Sequence, residues 1–304
     1  MKCGGSADVD YMTVNELELH VATWNLMDGR SKSYQARIDE AVEHLHGFDV
    51  ILLQEASYGN GVDAAAEIAS KLGLTVAAAS NTMTFRERDV NHVADGNFSR
   101  CAILTRLPVV SGDAVPFISY EGSHFSAAVL IAPSGRPLVA ASAHLVWGGK
   151  GEYARALQAQ EINAWVEEKL EQLNVEGNKD AFAIVGGDFN TTPQSKTVRY
   201  MTGLDDIDGD CTLWVDVWST VRESEGYTVL PDNEWAASTA AIVGIANPER
   251  LPKRRIDYLF VYGWAYGRPG SPLRAWIVGR EKRTGIMASD HLGVGAILAD
   301  PLPL

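Results

Sequence analysis

The chain has 304 residues, 46% of them hydrophobic and 21% charged, the make-up of a folded globular protein. Disordered, collagenous and disulfide-scaffold polypeptides are excluded. With 26 Lys+Arg against 39 Asp+Glu the formal net charge is −13, which disfavours a sequestering polyanion binder or a partner of anionic membranes but leaves room for an enzyme with a local basic rim.

Cys3, Cys101 and Cys211 are far apart and odd in number, so they suggest free thiols in a reducing compartment rather than a metal or disulfide framework. The N-terminal stretch has no apolar core of a secretory signal. No apolar run reaches the roughly 18 residues that a membrane span needs. The expectation is a soluble cytoplasmic protein, with no membrane insertion and no obligate protein partner.

In chain order, period-two patterning over 17–24 predicts a strand with Leu19, Val21 and Thr23 on one face. Ile38, Ala41, Val42 and Leu45 then make a helical stripe, ended by Gly47. The apolar run 49–53 reads as a buried strand. A second helix carries Ala65, Ile68, Ala69 and Leu72 and closes at Gly73. Strands follow around 101–105, 109–117, 124–132 and 137–143, separated by Pro/Gly/Ser turns. The longest helix covers about 152–174, with Ile162, Trp165, Val166, Leu170 and Leu173 on one stripe. After a buried strand at 183–185, residues 203–253 read as irregular apart from a short helix near 213–221. Strands at about 256–262, 273–279 and 293–299 complete the chain.

No repeat, low-complexity tract or linker divides this series, so residues 15–300 read as one α/β domain and 1–14 as a poorly ordered extension. The order βαβα, strands, α, strands suits two sheets packed face to face with helices outside them.

Polar residues cluster at the strand ends, where rigid strands meet open loops. Asn25 closes the first strand and Gln54-Glu55 the second; His144 ends the strand at 137–143; Asp188 and Asn190 follow 183–185. Asp257 lies at the start of 256–262, and Asp290-His291 precede the last strand. Each alone could be a turn former or a helix cap.

Taken in order, Trp24-Asn25, Leu53-Gln54-Glu55, Ala143-His144-Leu145, Gly187-Asp188-Phe189-Asn190, Arg255-Ile256-Asp257-Tyr258 and Ser289-Asp290-His291 resemble the endonuclease/exonuclease/phosphatase superfamily, with the deoxyribonuclease I-like fold. The resemblance spans 19–299. It implies a four-layer α/β sandwich of two mostly antiparallel sheets flanked by helices, and a divalent-metal phosphohydrolase. In that reading Glu55 and Asp290 supply anionic oxygens and Asn25 a neutral one, a set suited to Mg²⁺ or Mn²⁺. The lack of a His- or Cys-rich cluster argues against zinc.

Asp188 resembles the residue that activates or orients the attacking water, with Asn190 fixing it or the phosphate. Asp257 and His291 resemble the family's carboxylate–imidazole pair, which keeps the ring charged and donating. His144 resembles the second family histidine, a phosphate ligand or a general acid.

Arg155 and Gln158, on one face of the long helix after His144, look like the neutral sphingomyelinase, deadenylase and 5′-tyrosyl-DNA phosphodiesterase branches. Asp216-Val217-Trp218 and Gly226-Tyr227-Thr228 are similar to the last of these, where an aromatic follows the threonine. Here Val229 follows it, and 229–252 departs from that pattern. Arg155 reads either as a phosphate contact or as a solvated helix residue. Trp147 is placed either to stack on a base or to anchor its loop. Lys253, Arg254 and Arg255, with Arg280, Lys282 and Arg283, either rim the mouth or are solvated loop charges.

The expected function is divalent-metal-dependent hydrolysis of phosphodiester bonds by in-line attack of water, in nucleic acid or a nucleic-acid adduct. The alternative substrate is a small phosphoester: an inositol phosphate, a nucleotide or a phospholipid head group. A catalytically inactive binding module should have lost a metal ligand or the terminal histidine, and Glu55, Asp188, Asn190, Asp257, Asp290 and His291 are all present.

Overall fold

The computed structural model describes residues 16–27, 33–82, 98–175, 177, 180–263 and 268–302; the extension expected at 1–14, with Cys3, lies outside them. One sheet contains β1 (Glu16–Asn25), β2 (Val50–Gly59), β3 (Val62–Asp63), β4 (Thr75–Thr82), β5 (Phe98–Thr105), β12 (Pro272–Val278) and β13 (Gly293–Pro301). Its strand order is β12-β13-β1-β2-β5-β4, with β3 on the end of β2. The second contains β6 (Val109–Pro116), β7 (His124–Ile131), β8 (Pro137–His144), β9 (Phe182–Asp188), β10 (Trp214–Asp216) and β11 (Asp257–Tyr262), in the order β10-β11-β9-β8-β7-β6. The β1–β2 and β8–β9 pairs are parallel and every other pair described is antiparallel.

Alternation along each strand builds the layers. Leu19 and Val21 of β1, Val50 and Leu52 of β2, Leu138 and Ala140 of β8, and Ile184 of β9 face one another in the core between the sheets. The opposite faces of β1 and β2, through Trp24, Ile51 and Leu53, pack on α1 (Tyr34–Leu45) and α2 (Ala64–Leu72). Those of β8 and β9, through Val139, Ala141, Ala183 and Val185, pack on α3 (Glu152–Val175) and α4 (Lys196–Met201). The result is helix, sheet, sheet, helix, the four-layer sandwich expected. The predicted stripes are the buried ones: Ile38, Ala41, Val42 and Leu45 in α1, and Ile162, Val166, Leu170 and Leu173 in α3.

Three differences from the sequence reading lie in short elements. The helix expected near 213–221 is β10 followed directly by α5 (Val217–Val221). Asp216 makes that switch, because its carboxylate caps the backbone N–H groups of Trp218 and Ser219. The irregular stretch also holds a helix, α6 (Ala236–Ile242), and α4 was not foreseen. Helices of five to seven residues do not stand alone in water and take their stability from packing, so propensity does not reveal them.

Glycine is required at the end of β9. A Cβ at Gly187 would stand 1.9 Å from the carbonyl oxygen of Ala143 on β8. Gly187→Ala should therefore destabilise the fold by about 3 kcal/mol, the upper range for overpacking against an unyielding partner. Urea unfolding of the purified variant measures this; a midpoint equal to wild type would contradict the contact.

Candidate active site

The site continues the core between the two sheets. The alternation that buries Leu19 and Val21 carries Thr23 and then Asn25 to the same inner face. Along β8 the series Leu138, Ala140, Ser142 reaches His144; along β9 Phe182, Ile184, Gly186 reaches Asp188. On β11 the series runs backwards through Val261 and Leu259 to Asp257. Register then sets His144, Asp188 and Asp257 side by side, since His144 pairs with Asp188 across β8–β9 and Asp257 with Asp188 across β11–β9.

Strict alternation would send Glu55 to the outer face, after Gln54 on the inner one. A register shift between Leu53 and Ala56 and a φ of 50° at Glu55 reverse this. The irregularity turns the carboxylate inward, the usual service of a bulge beside a site. Asn190 also has a positive φ, 52°. Its backbone N–H donates to Asp188 Oδ1 at 2.8 Å and its side-chain amide to the Leu145 carbonyl at 2.9 Å, so the GDFN turn closes back on β8.

Asn25 Nδ2 lies 3.0 Å from Glu55 Oε1 and 3.0 Å from Asp188 Oδ2, donating to both. The backbone N–H of Met27 donates to Asn25 Oδ1, at 2.9 Å, and that bond sets the amide's orientation. The amide oxygen expected to face a cation is thus occupied, and the amide nitrogen is what faces the carboxylates. His144 Nε2 stands 3.5 Å from Asp188 Oδ2 and 3.9 Å from Glu55 Oε1. Glu55, His144 and Asp188 each offer a ligand atom, all within 4.8 Å of one another, and Asp188, Asp257 and His291 do the same.

His291 Nδ1 is 3.0 Å from Asp257 Oδ2, and its Nε2 is 3.9 Å from Asp188 Oδ2. Burial works against a charged ring, but the carboxylates of Asp257, Asp188 and Asp290 outweigh it and hold the imidazole well above its usual range. The ring is placed by Ser289 Oγ, which accepts from its backbone N–H at 3.1 Å, and by Trp24 Nε1, which donates to its carbonyl at 2.9 Å.

Asp290 belongs to neither of these two groupings but is near enough to Glu55 for their charges to interact. Its Oδ2 accepts a 2.6 Å hydrogen bond from Thr239 on α6. Burial pushes its carboxyl above the ordinary range, with the charge of His291 opposing and that of Glu55 adding. Four carboxylates therefore crowd one mouth and have two imidazoles among them. Hard oxygen donors in excess of positive charge fit a divalent cation.

Arg155 is buried and holds the loop that follows β8. Its Nη1 donates to the carbonyls of Val146 (3.1 Å) and Gly148 (2.8 Å), and Nε and Nη2 donate to Glu152. Gln158 Oε1 accepts from the Val146 N–H at 2.8 Å, so the R-x-x-Q spacing anchors the segment carrying half-buried Trp147. Arg255 is likewise buried, with Nη1 bonded to both Asp216 oxygens at 2.9 and 2.8 Å and its guanidinium over the Tyr258 ring. It does not belong to an open rim. Lys253 and Arg254 are exposed, while Arg280 pairs with Asp232 and Lys282 with Glu234. Val229, standing where the related branch has an aromatic, is buried in a small cluster with Ala236, Leu251 and Ile256.

Supporting residues escaped the sequence reading because their signal is purely spatial. Gln54 Nε2 donates to Thr23 Oγ1 on one sheet and to Ser142 Oγ on the other. Thr228 Oγ1 accepts from the N–H groups of Ile256 and Asp257. Arg37 donates to the carbonyls of Ala288 (2.7 Å), Met27 (2.6 Å) and Leu26, tying the ends of β1 to the turn before β13. Glu152 receives the Thr197 N–H and the hydroxyls of Thr191 and Thr197, each at 2.8 Å.

The chain matches the endonuclease/exonuclease/phosphatase family over residues 22–291. It belongs to that family, one of phosphoric ester hydrolases. Among solved structures it is similar to D. rerio TDP2 complexed with single strand DNA product, at 20% identity and TM-score 0.62, covering 92% of this chain and 98% of that one. A truncated Caenorhabditis elegans TDP2 aligns at 18% identity and TM-score 0.62, covering 93% and 98%. A Bacteroides vulgatus endonuclease/exonuclease/phosphatase aligns at 17% identity and TM-score 0.62, covering 94% and 99%. At these identities the likeness is one of fold. No curated protein matches the sequence.

The Glu152 hub makes a pH prediction. Burial would raise its carboxyl, but the Thr197 and Thr191 donors and Arg155 together lower it. A lowered carboxyl stabilises the fold above its ordinary value and loses that contribution as pH falls through the folded value. Wild type should therefore lose stability more steeply than Glu152→Gln as pH drops below about 4.3. Urea midpoints from pH 6 to pH 3 test this, and parallel curves would contradict it.

Proposed function

We propose that the protein is a Mg²⁺- or Mn²⁺-dependent phosphodiesterase that cleaves by in-line attack of water, acting on nucleic acid or on a nucleic-acid adduct. The observation that carries this is the position of Asp188, shared between the Glu55–His144–Asp188 and the Asp188–Asp257–His291 groupings. A hydrolytic residue and a charged imidazole thus face one small volume.

When bound, the cation supplies Lewis-acid polarisation of a phosphoryl oxygen and stabilises the leaving oxygen. Glu55 and Asp290 are the residues to hold it, with Asp188 and His144 at its edge. Asp188 is fixed by Asn25 and by the Asn190 N–H, and so has the orientation to align a water for attack. Asp257 accepts a hydrogen bond from the Nδ1–H of His291, which leaves Nε2–H directed at the site to donate to charge developing on the phosphorus oxygens. Asn190 and His144 border the same volume and would fix the phosphate.

The single-strand DNA product named for the D. rerio TDP2 structure supports nucleic acid as the substrate class. A small phosphoester is favoured by a different observation, the pairing of Arg255, Arg280 and Lys282 with acidic partners. Among the described residues no helix is long and apolar enough to cross a membrane. A cytoplasmic setting is supported by buried Cys101 and exposed Cys211 standing as free thiols.

The decisive experiment is cleavage of end-labelled single- and double-stranded DNA and RNA, a 5′-adduct, and a panel of small phosphoesters, in Mg²⁺ and in Mn²⁺. Asp188→Asn and His291→Ala should each lower kcat by about 10²–10⁴ while melting as wild type does. Wild-type turnover in either would remove its assigned role.

With Lys253 and Arg254 exposed, and with Arg280 and Lys282 already engaged by Asp232 and Glu234, affinity for a single strand should fall only shallowly with salt. The expected log–log slope is about −1.4, from roughly 0.7 per cation. A slope several times steeper would show a long polyanion track.

A further inference from the structure

The stretch 229–252, where the chain departs from the related branch, closes on the turn that carries Asp290 and His291. Asn233 Nδ2 donates to the carbonyls of both Ser289 and Asp290, at 3.1 Å each. Trp235 Nε1 donates to the Met287 carbonyl at 2.8 Å, and Glu234 Oε2 accepts from the Met287 N–H at 2.7 Å. Backbone contacts grip the carbonyls and N–H groups of residues 287–290. Two contacts reach side chains: the Glu234 N–H donates to Met287 Sδ at 3.4 Å, and Thr239 Oγ1 donates to Asp290 Oδ2 at 2.6 Å.

A helical threonine commonly returns its hydroxyl to a carbonyl one turn back, although Thr197 gives its own to Glu152. Thr220 makes that return to Asp216 at 2.8 Å, and Thr202 to Val198 at 2.9 Å. Thr239 instead spans 51 positions of sequence to a carboxylate. The other carboxylate oxygen, Oδ1, lies 3.5 Å from Ser289 Oγ. A serine hydroxyl has one proton, and Ser289 places it on the Asn25 carbonyl at 2.6 Å. Oδ1 of this buried carboxylate thereby keeps only that long contact, while Oδ2 holds the short bond from Thr239. Such an asymmetric carboxylate is ready to ligate through one defined oxygen.

Resting on the reading of the site as a divalent-metal centre, we propose that Thr239 is a positioning residue. It locks the Asp290 carboxylate so that Oδ1 faces the cation, and α6 is thereby the element that tunes metal affinity. Partners of this kind orient ligating carboxylates, and their loss commonly weakens metal binding about 10–100-fold. Thr239 touches neither substrate nor reacting atoms, so its effect should reach catalysis through the cation.

The test uses the full chain and titrates Mn²⁺ alone by calorimetry, without substrate, into wild type, Thr239→Val and Thr239→Ser. Apo melting temperatures are recorded alongside. Thr239→Val, nearly isosteric, should bind Mn²⁺ about 10–100-fold more weakly while its apo protein melts close to wild type. Thr239→Ser, which keeps the donor, should restore most of the affinity. In turnover assays, saturating Mn²⁺ should bring kcat of Thr239→Val back toward wild type with KM little changed.

Wild-type Mn²⁺ affinity in Thr239→Val overturns the proposal. So does an affinity loss that serine fails to repair, or one that merely follows a drop in apo melting temperature. If wild type binds neither Mn²⁺ nor Mg²⁺, the metal reading itself falls and takes this inference with it, an outcome distinct from normal binding in both wild type and variant.

Discussion

Two carboxylates from different sheets, Glu55 and Asp188, share one amide nitrogen, that of Asn25. Like charges brought this close in a buried place repel one another, and the repulsion grows as water is removed. An amide nitrogen has two protons and can satisfy one oxygen of each carboxylate. The bond from the Met27 N–H fixes which end of the amide points inward. That small arrangement sets the spacing between the sheets at the mouth. Below it, Gln54 repeats the device with neutral groups, joining Thr23 to Ser142, and Gly186 leaves room for the sheets to close. The polar layer and the apolar core are successive floors of one stack.

Much of this was legible in the residues. Period two located β1, buried apolar runs located β2 and β9, and turn-bounded runs located β8; counting alternate residues along β1, β8 and β9 then places Asn25, His144 and Asp188 on the inner face with Leu19, Leu138 and Ile184. The stripes of α1 and α3 were as plain, because long amphipathic helices bury what they display. Glu55 is the instructive exception. Its type marked it as functional, but alternation points it away from the site, and only a backbone irregularity with positive φ turns it in. Such an irregularity has no period to detect.

Arginines were the least legible residues. Arg155 and Arg255 looked like ligands for phosphate and are structural clamps, one on a loop and the other on Asp216. A guanidinium has five donors and suits carbonyls and carboxylates within the protein as well as phosphate outside it. Which of these it meets depends on loop closure, and that lies outside any local pattern. The stretch 229–252 was opaque for a related reason. Its helix is short, its cluster of buried residues is small, and its grip on 287–290 is made by side chains meeting across more than fifty positions.

The pairing of β1 with β13, from Glu16–Pro301 to Thr23–Val294, joins the two ends of the described chain in the middle of a sheet. Asn25 ends the first of these strands and His291 precedes the last. A chain emerging from the ribosome therefore exposes one whole edge of β1 until residues 293–301 have been synthesised. Local pairings such as β7–β8 can form early, whereas this long-range closure comes late. The histidine and the carboxylates it faces are thus brought together only once β13 has taken its place beside β1.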